Sequence, residues 1–202
     1  MAEPEKPARD ADLSNGWEEV AEGFIAQCRQ SSIGAAAVRA WARSLPAGAA
    51  VLDLGCGPGG LRSAELTAAG LEVYAVDASP TLAQAYRSRF PSAHVACEAA
   101  EQSQFFDRTF DGILAWGLLF LLPAETQRSL IHRAAKALNP GGRFLFTAPT
   151  QTCTWADLST GRESRSLGAA AYDAELGKAG LVLLGQREDE GENHYFEAVR
   201  AG

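Results

Sequence analysis

Positive charge is scarce in this 202-residue sequence: 18 Lys and Arg stand against 25 Asp and Glu, a formal net charge of −7. No five-residue window is dominated by basic residues. Affinity for a phosphate backbone comes from clustered Lys and Arg, so the balance argues against a nucleic-acid partner and for a small molecule. Long apolar runs are missing too. The longest, Ile113–Pro123, falls far short of the ~20 residues that cross a bilayer. The N-terminal MAEPEKPARDAD is polar, carries Pro4 and Pro7, and lacks the apolar stretch of a signal peptide. No membrane association is expected, and the cytoplasm is the expected compartment. Cysteine is sparse. Cys28, Cys56, Cys97 and Cys153 are widely spread, without a C-x-x-C pair or a histidine at ligand spacing. Free thiols in a reducing compartment follow, with no disulfide and no metal.

Hydrophobic residues make up 47% of the chain, enough over this length for one substantial core. No internal repeat or linker divides it, so a single domain over 13–202 is expected, as a monomer or homodimer. Residues 1–12 are polar and proline-bearing with nothing to bury and read as a disordered tail. From Leu13 to Leu45 the chain reads as helical. Trp17, Val20, Ala21 and Phe24 recur at helical spacing behind a capping Ser14, and a second helix runs from about Ser32 to Leu45, ended by Pro46 and Gly48.

Strands and helices then alternate. Strands are expected at Ala50–Leu54, Leu71–Val76, Ala93–Cys97, Phe110–Ala115 and Gly142–Ala148. The intervening helices fall near Leu61–Ala69, after the Ser79-Pro80 cap, and at Ala124–Leu138. Helical crossovers imply a mostly parallel sheet covered on both faces. The polar stretch QTCTWADLSTGRESRS reads as a long loop before a helix at about Gly168–Ala179. LVLLGQRE and NHYFEAVR flank DEGE so closely that they form a hairpin, adding an antiparallel element at one end of the sheet.

Glycine is what the sequence has in quantity where it matters. VLDLGCGPGG places four glycines in six residues at the end of the first strand, where open parallel sheets bind ligands and a turn without Cβ atoms admits one closely. Gly55, Gly57 and Gly60 fit a dinucleotide pattern; Gly55, Gly57 and Gly59, with Asp53 two residues ahead, fit another. A carboxylate at the turn repels pyrophosphate but suits an amino group or a sulfonium. Asp77 ends the second strand 22 residues after Gly55 and is placed to accept hydrogen bonds from both ribose hydroxyls, which either cofactor class offers. Cys56 is the one thiol inside the turn.

In order, VLDLGCGPGG, VYAVDAS, FDGILAWGLLFLL and LNPGGRFLFTAP resemble the motifs of class I S-adenosylmethionine-dependent methyltransferases of the small-molecule type, over roughly residues 35–200. The resemblance implies an α/β fold: a three-layer Rossmann-like sandwich whose seven-stranded, mostly parallel sheet has an antiparallel C-terminal strand. It implies S-adenosyl-L-methionine as cofactor, with Asp53 facing the methionine amino group and Gly55, Cys56, Gly57 and Gly59 beneath the methionine and ribose. Asp77 would hold the ribose diol, Ala78 and Ser79 would lie beside the adenine, and Glu98 with Ala99 near its amino group, Glu101 competing. Trp116 and Gly117 would line the cofactor and open toward the acceptor.

Methyl transfer from a sulfonium needs alignment and exclusion of water more than a catalytic group. A hydroxyl or carbon acid needs a base, for which His194 in ENHYF is the candidate; His94 and His132 read as structural. Trp17 and Phe24 in the helical cap, with Phe120, Trp155, Arg162 and Tyr195, are candidates for the acceptor pocket, and Arg165 pairs with Arg162 as a basic couple. Arg29, Ser31 and Ser32 are candidates for the methionine carboxylate. Two other classes stay open: a nicotinamide-dependent oxidoreductase, although no Tyr-x-x-x-Lys pair is present, and a non-catalytic nucleoside-binding protein.

Overall fold

A computed structural model describes residues 12–29 and 31–202. The expected tail, apart from Asp12, lies outside the described residues. Seven strands form the main sheet: β1 (Ala50–Leu54), β2 (Glu72–Asp77), β3 (His94–Cys97), β4 (Phe110–Ala115), β5 (Leu138–Thr147), β8 (Leu181–Glu188) and β9 (His194–Arg200). A separate hairpin joins β6 (Cys153–Ala156) to β7 (Glu163–Ser166). The helices are α1 (Ala21–Cys28), α2 (Ala35–Ala42), α3 (Leu61–Ala68), α4 (Pro80–Arg89), α5 (Ala124–Ala137) and α6 (Ala169–Lys178).

Sheet order is β3-β2-β1-β4-β5-β9-β8. All pairings among the first five are parallel, and β9 runs antiparallel to both its neighbours. The order reverses beside β1, so the carboxyl ends of β1 and β4 part there and leave a crevice for a ligand.

Both faces of the sheet are covered, which is why β1 is buried at every residue. Leu52, Leu54, Ile113, Phe144, Phe146 and Phe196 pack with Leu130 and Ile131 of α5 and Tyr172 and Leu176 of α6. Val51, Leu114, Leu145 and Tyr195 pack on the other face, against Val38 and Trp41 of α2 and Leu66 of α3. Alternation along β1 therefore turns Asp53 toward the α3 side, with Val51.

Four local expectations change. The cap region is not helical from Leu13. Residues 13–20 form turns, because Asn15 and Gly16 take left-handed conformations (φ 52° and 86°) and Asp12 collects the N–H groups of Ser14 and Gly16 at 3.0 and 2.7 Å. Such a side-chain turn competes with the helix ladder. Gly34, also left-handed at φ +79°, delays α2 to Ala35. The long loop 151–166 contains the β6–β7 hairpin. Finally, β5 begins at Leu138, with a register shift opposite Phe110 and Gly112. No helix of the described residues is long and apolar enough to cross a membrane.

Candidate active site

The glycine turn sits where β1 ends. Gly55, Gly57 and Gly59 all have positive φ, and the N–H groups of Gly55 and Cys56 both reach the Val76 carbonyl, at 2.8 and 3.1 Å. This ties the turn to the end of β2, where Asp77 stands. The Asp77 carboxylate accepts from Gly57 N at 2.7 Å and Ser79 N at 2.9 Å. Burial raises its pKa, and the two backbone donors oppose that rise.

Asp53 is buried, with Ser63 Oγ donating to it at 2.8 Å. Burial lifts its pKa to about 6, against the pull of Ser63 and the nearby Arg62 guanidinium. Arg62 is the cation of this site. It is half-buried, donates from Nη1 to the Ile33 carbonyl at 2.9 Å, and lies over the Trp116 ring with Cζ 3.5 Å from the centroid. Among the described residues it has no carboxylate within ion-pairing distance.

These groups open into one cleft of about 220 Å³. Asp53, the glycine turn and Asp77 form its floor; Leu82, Ala99, Ala100 and Glu101 close one end; Trp17, Phe24, Arg62, Trp116, Phe120 and Asp157 line the other parts. Trp17 and Phe24 pack at 4.7 Å between ring centroids, and the Trp17 indole N–H is buried without a protein partner. Glu18 fastens this aromatic cap to the start of α4. Its carboxylate accepts from Thr81 N at 3.1 Å, Thr81 Oγ1 at 2.6 Å and the Ser79 hydroxyl. Negative charge at the N-terminus of α4 is favourable.

The sequence around this cleft, residues 51–142, matches the family described as a methyltransferase domain. The match spans just under half of the chain, which over this segment is similar to methyltransferase domains. Similar proteins include the ubiquinone biosynthesis O-methyltransferase of Xanthomonas axonopodis pv. citri, 33% identical over 55% of this chain and 47% of that protein. A Streptomyces cypemycin N-terminal methyltransferase is 39% identical over 47% of this chain and 40% of its own length. The chain thus spans less than half the length of either relative. In fold it is similar to the 1,6-didemethyltoxoflavin-N1-methyltransferase of Burkholderia thailandensis, solved with 1,6-didemethyltoxoflavin and S-adenosylhomocysteine. There the TM-score is 0.76 at 18% identity, covering 98% of this chain and 94% of that one.

The cleft brings together Asp53, Gly55, Cys56, Gly57, Asp77, Ala78, Ala99, Trp116, Trp17, Phe24 and Phe120 of the expected residues. Others stand elsewhere. Gly59 turns away from the cleft, against the rings of Phe90 and Tyr86. Ser79 is fully buried, its hydroxyl accepting from Leu82 N at 3.1 Å as the cap of α4. Glu101, not Glu98, reaches the cleft, because the chain turns at Ala99. The Cys56 thiol is buried and its pKa pushed up by that burial, so it stays a protonated filler.

The acceptor candidates divide in the same way. His194 lies on the hairpin with Nδ1 2.9 Å from Glu188 Oε1, outside the cleft, since the opposite strand supplies its partner. Tyr195 is fully buried behind Trp116. Trp155 packs on Phe120, at 5.5 Å between centroids, and leaves Asp157 to face the cleft. Arg162 pairs with Asp12 at 3.7 Å and Arg165 with Glu163, so the basic couple is spent on carboxylates. Arg29 lines a separate surface hollow with Cys28 and Arg89. Sequence reasoning missed Arg62, Glu18 and Asp157. Among the described residues no cluster of His, Cys, Asp and Glu suits a metal ion.

Proposed function

We propose that this chain transfers a methyl group from S-adenosyl-L-methionine to the nitrogen, oxygen or carbon of a small molecule, acting in the cytoplasm as a monomer or homodimer. The observation that carries the reading is the pairing of opposite charges above one glycine turn: a buried carboxylate, Asp53, and an Arg62 guanidinium without an ion-pair partner among the described residues. An α-amino acid tail presents the complementary pair, ammonium and carboxylate. A dinucleotide pyrophosphate presents only negative charge, which Asp53 repels.

When bound, the cofactor would supply a methyl carbon activated by its sulfonium, open to in-line displacement by the acceptor with the C–S electron pair left on sulfur. The chain's contribution is placement. Asp53 and Arg62 would grip the amino-acid tail, and Asp77, pinned by two backbone donors, would take the ribose hydroxyls through its remaining lone pairs. Trp17, Phe24 and Phe120 would exclude water and hold an apolar acceptor, with Asp157 the carboxylate on that side. An amine acceptor arrives able to react once deprotonated, so alignment suffices.

Calorimetric titration tests this. S-adenosylmethionine and S-adenosylhomocysteine should bind in the micromolar range, and NADPH should give no heat. NADPH binding without binding of either sulfur nucleoside would replace the methyltransferase reading with the oxidoreductase one.

A further inference from the structure

Behind the cleft, a chain of hydrogen bonds runs from the β8–β9 turn to the residue on which Arg62 rests. Trp116 Nε1 donates to Tyr195 Oη at 2.7 Å. The Tyr195 hydroxyl donates in turn to Asp189 Oδ2 at 2.8 Å. Asp189 is itself held, its Oδ1 accepting from Gly191 N at 2.8 Å, Asn193 N at 3.0 Å and Asn193 Nδ2 at 2.9 Å. The three polar groups converge on Gly34. A Cβ there would stand 2.5 Å from Tyr195 Oη, 2.9 Å from Trp116 Nε1 and 3.1 Å from Asp189 Oδ2. With φ at +79° as well, this is a position only glycine fits.

Neither Asp189 nor Tyr195 reaches the cleft. Trp116 does, and its ring carries the Arg62 guanidinium at 3.5 Å. The other hold on Arg62 is the Ile33 carbonyl at 2.9 Å, immediately before Gly34, so both supports of the guanidinium meet this one knot. A long side chain loses rotamer freedom when it binds, and fixing it beforehand lowers that cost. An indole anchored by its own N–H offers a fixed face for the cation.

We propose that Asp189 and Tyr195 are positioning residues which, through Trp116, set Arg62 to receive the carboxylate of the cofactor's amino-acid tail. The inference rests on the reading of the cleft as an S-adenosylmethionine site. It assigns a role in ligand selection to a turn that lies outside the cleft. The fold gives the turn its place: β9 lies between β5 and β8 and buries Tyr195 on the α2 side of the sheet, facing Trp116.

The test compares two ligands on the full chain. S-adenosylhomocysteine carries the amino-acid tail; 5′-methylthioadenosine keeps the adenosine and sulfur without it. In calorimetry, Tyr195→Phe should weaken S-adenosylhomocysteine binding by about fivefold, as expected for one lost hydrogen bond, and leave 5′-methylthioadenosine within about twofold. Asp189→Ala should repeat that pattern, and Asp189→Asn, which keeps an acceptor for Tyr195, should restore most of the affinity. A Tyr195→Phe protein with native melting behaviour and native S-adenosylhomocysteine affinity overturns the relay. Equal weakening of both ligands also overturns it, since a packing defect would not single out the tail. A native chain that binds both ligands equally removes Arg62 from the tail and the relay with it. If the native chain binds neither, the cofactor reading itself has failed, and the relay falls with it.

Discussion

Lowering the pH should weaken cofactor binding through one buried carboxylate. Asp53 is buried at 4% exposure, and that burial raises its pKa from 3.8 to about 6. Only the ionised form can pair with an ammonium. With a pKa near 6, Asp53 is about nine-tenths ionised at pH ~7 and about one-tenth at pH ~5, so the association constant should fall roughly tenfold, about 1.4 kcal/mol. The ligand's own amino group stays charged across this range. Burial also raises the pKa of Asp77, but its proposed partner is the ribose, so 5′-methylthioadenosine isolates its contribution. Calorimetry at several pH values should show S-adenosylhomocysteine losing about tenfold more affinity than 5′-methylthioadenosine between pH ~7 and pH ~5. Asp53→Asn should abolish the difference and weaken tail recognition at neutral pH. Parallel pH profiles for the two ligands would refute the assignment of Asp53 to the amino group. The same shift acts on folding with the opposite sign. A carboxyl that holds its proton more tightly folded than unfolded costs stability as pH rises from about 3.8 to about 6. In the ligand-free protein, Asp53→Asn should therefore raise the melting temperature at neutral pH, by something on the order of 2–3 kcal/mol of stability.

Other perturbations separate recognition from structure. Asp77→Ala should weaken S-adenosylhomocysteine and 5′-methylthioadenosine alike by at least ~2 kcal/mol in calorimetry, since a charged acceptor for the ribose is lost. Gly59→Ala should lower the melting temperature, at a cost of about 1–3 kcal/mol, because its Cβ would lie 2.6 Å from the Phe90 ring at a φ of +73°. His194→Ala should leave cofactor affinity and turnover unchanged, its ring being paired with Glu188 away from the cleft. Glu18→Ala should free the aromatic cap from α4, seen as faster proteolysis within residues 13–20.

What the sequence announced and what it hid follow the range of the interactions involved. The Ser79-Pro80 cap, the buried β1 run and the closing hairpin depend on neighbours along the chain, and the fold class came from their order. Asp53 and Asp77 were legible because each lies in the last two residues of a strand beside the glycine turn. Arg62 was not. In sequence it is one charged residue at the start of an exposed-looking helix, and its significance depends on the Trp116 platform, 54 positions later. Trp116 in turn depends on Tyr195, from the far end of the chain. The β6–β7 hairpin escaped notice because its strands carry little apolar signal: β6 alternates between partly covered and exposed residues, and the buried residues of β7 are the serines Ser164 and Ser166. His194 was misplaced for a register reason. Alternation along a strand sends one of His194 and Tyr195 into the core, but the partner of the other is set by the strand across the turn, where Glu188 stands.

The central claim is that one cleft reads an amino-acid tail with Asp53 and Arg62 and a ribose with Asp77. A crystal structure of the full chain with S-adenosylhomocysteine tests it most directly. It should show the ligand's ammonium hydrogen-bonded at Asp53, its carboxylate on Arg62 and both ribose hydroxyls on Asp77. A ligand seated elsewhere, or with its tail turned away from Asp53 and Arg62, would contradict the account.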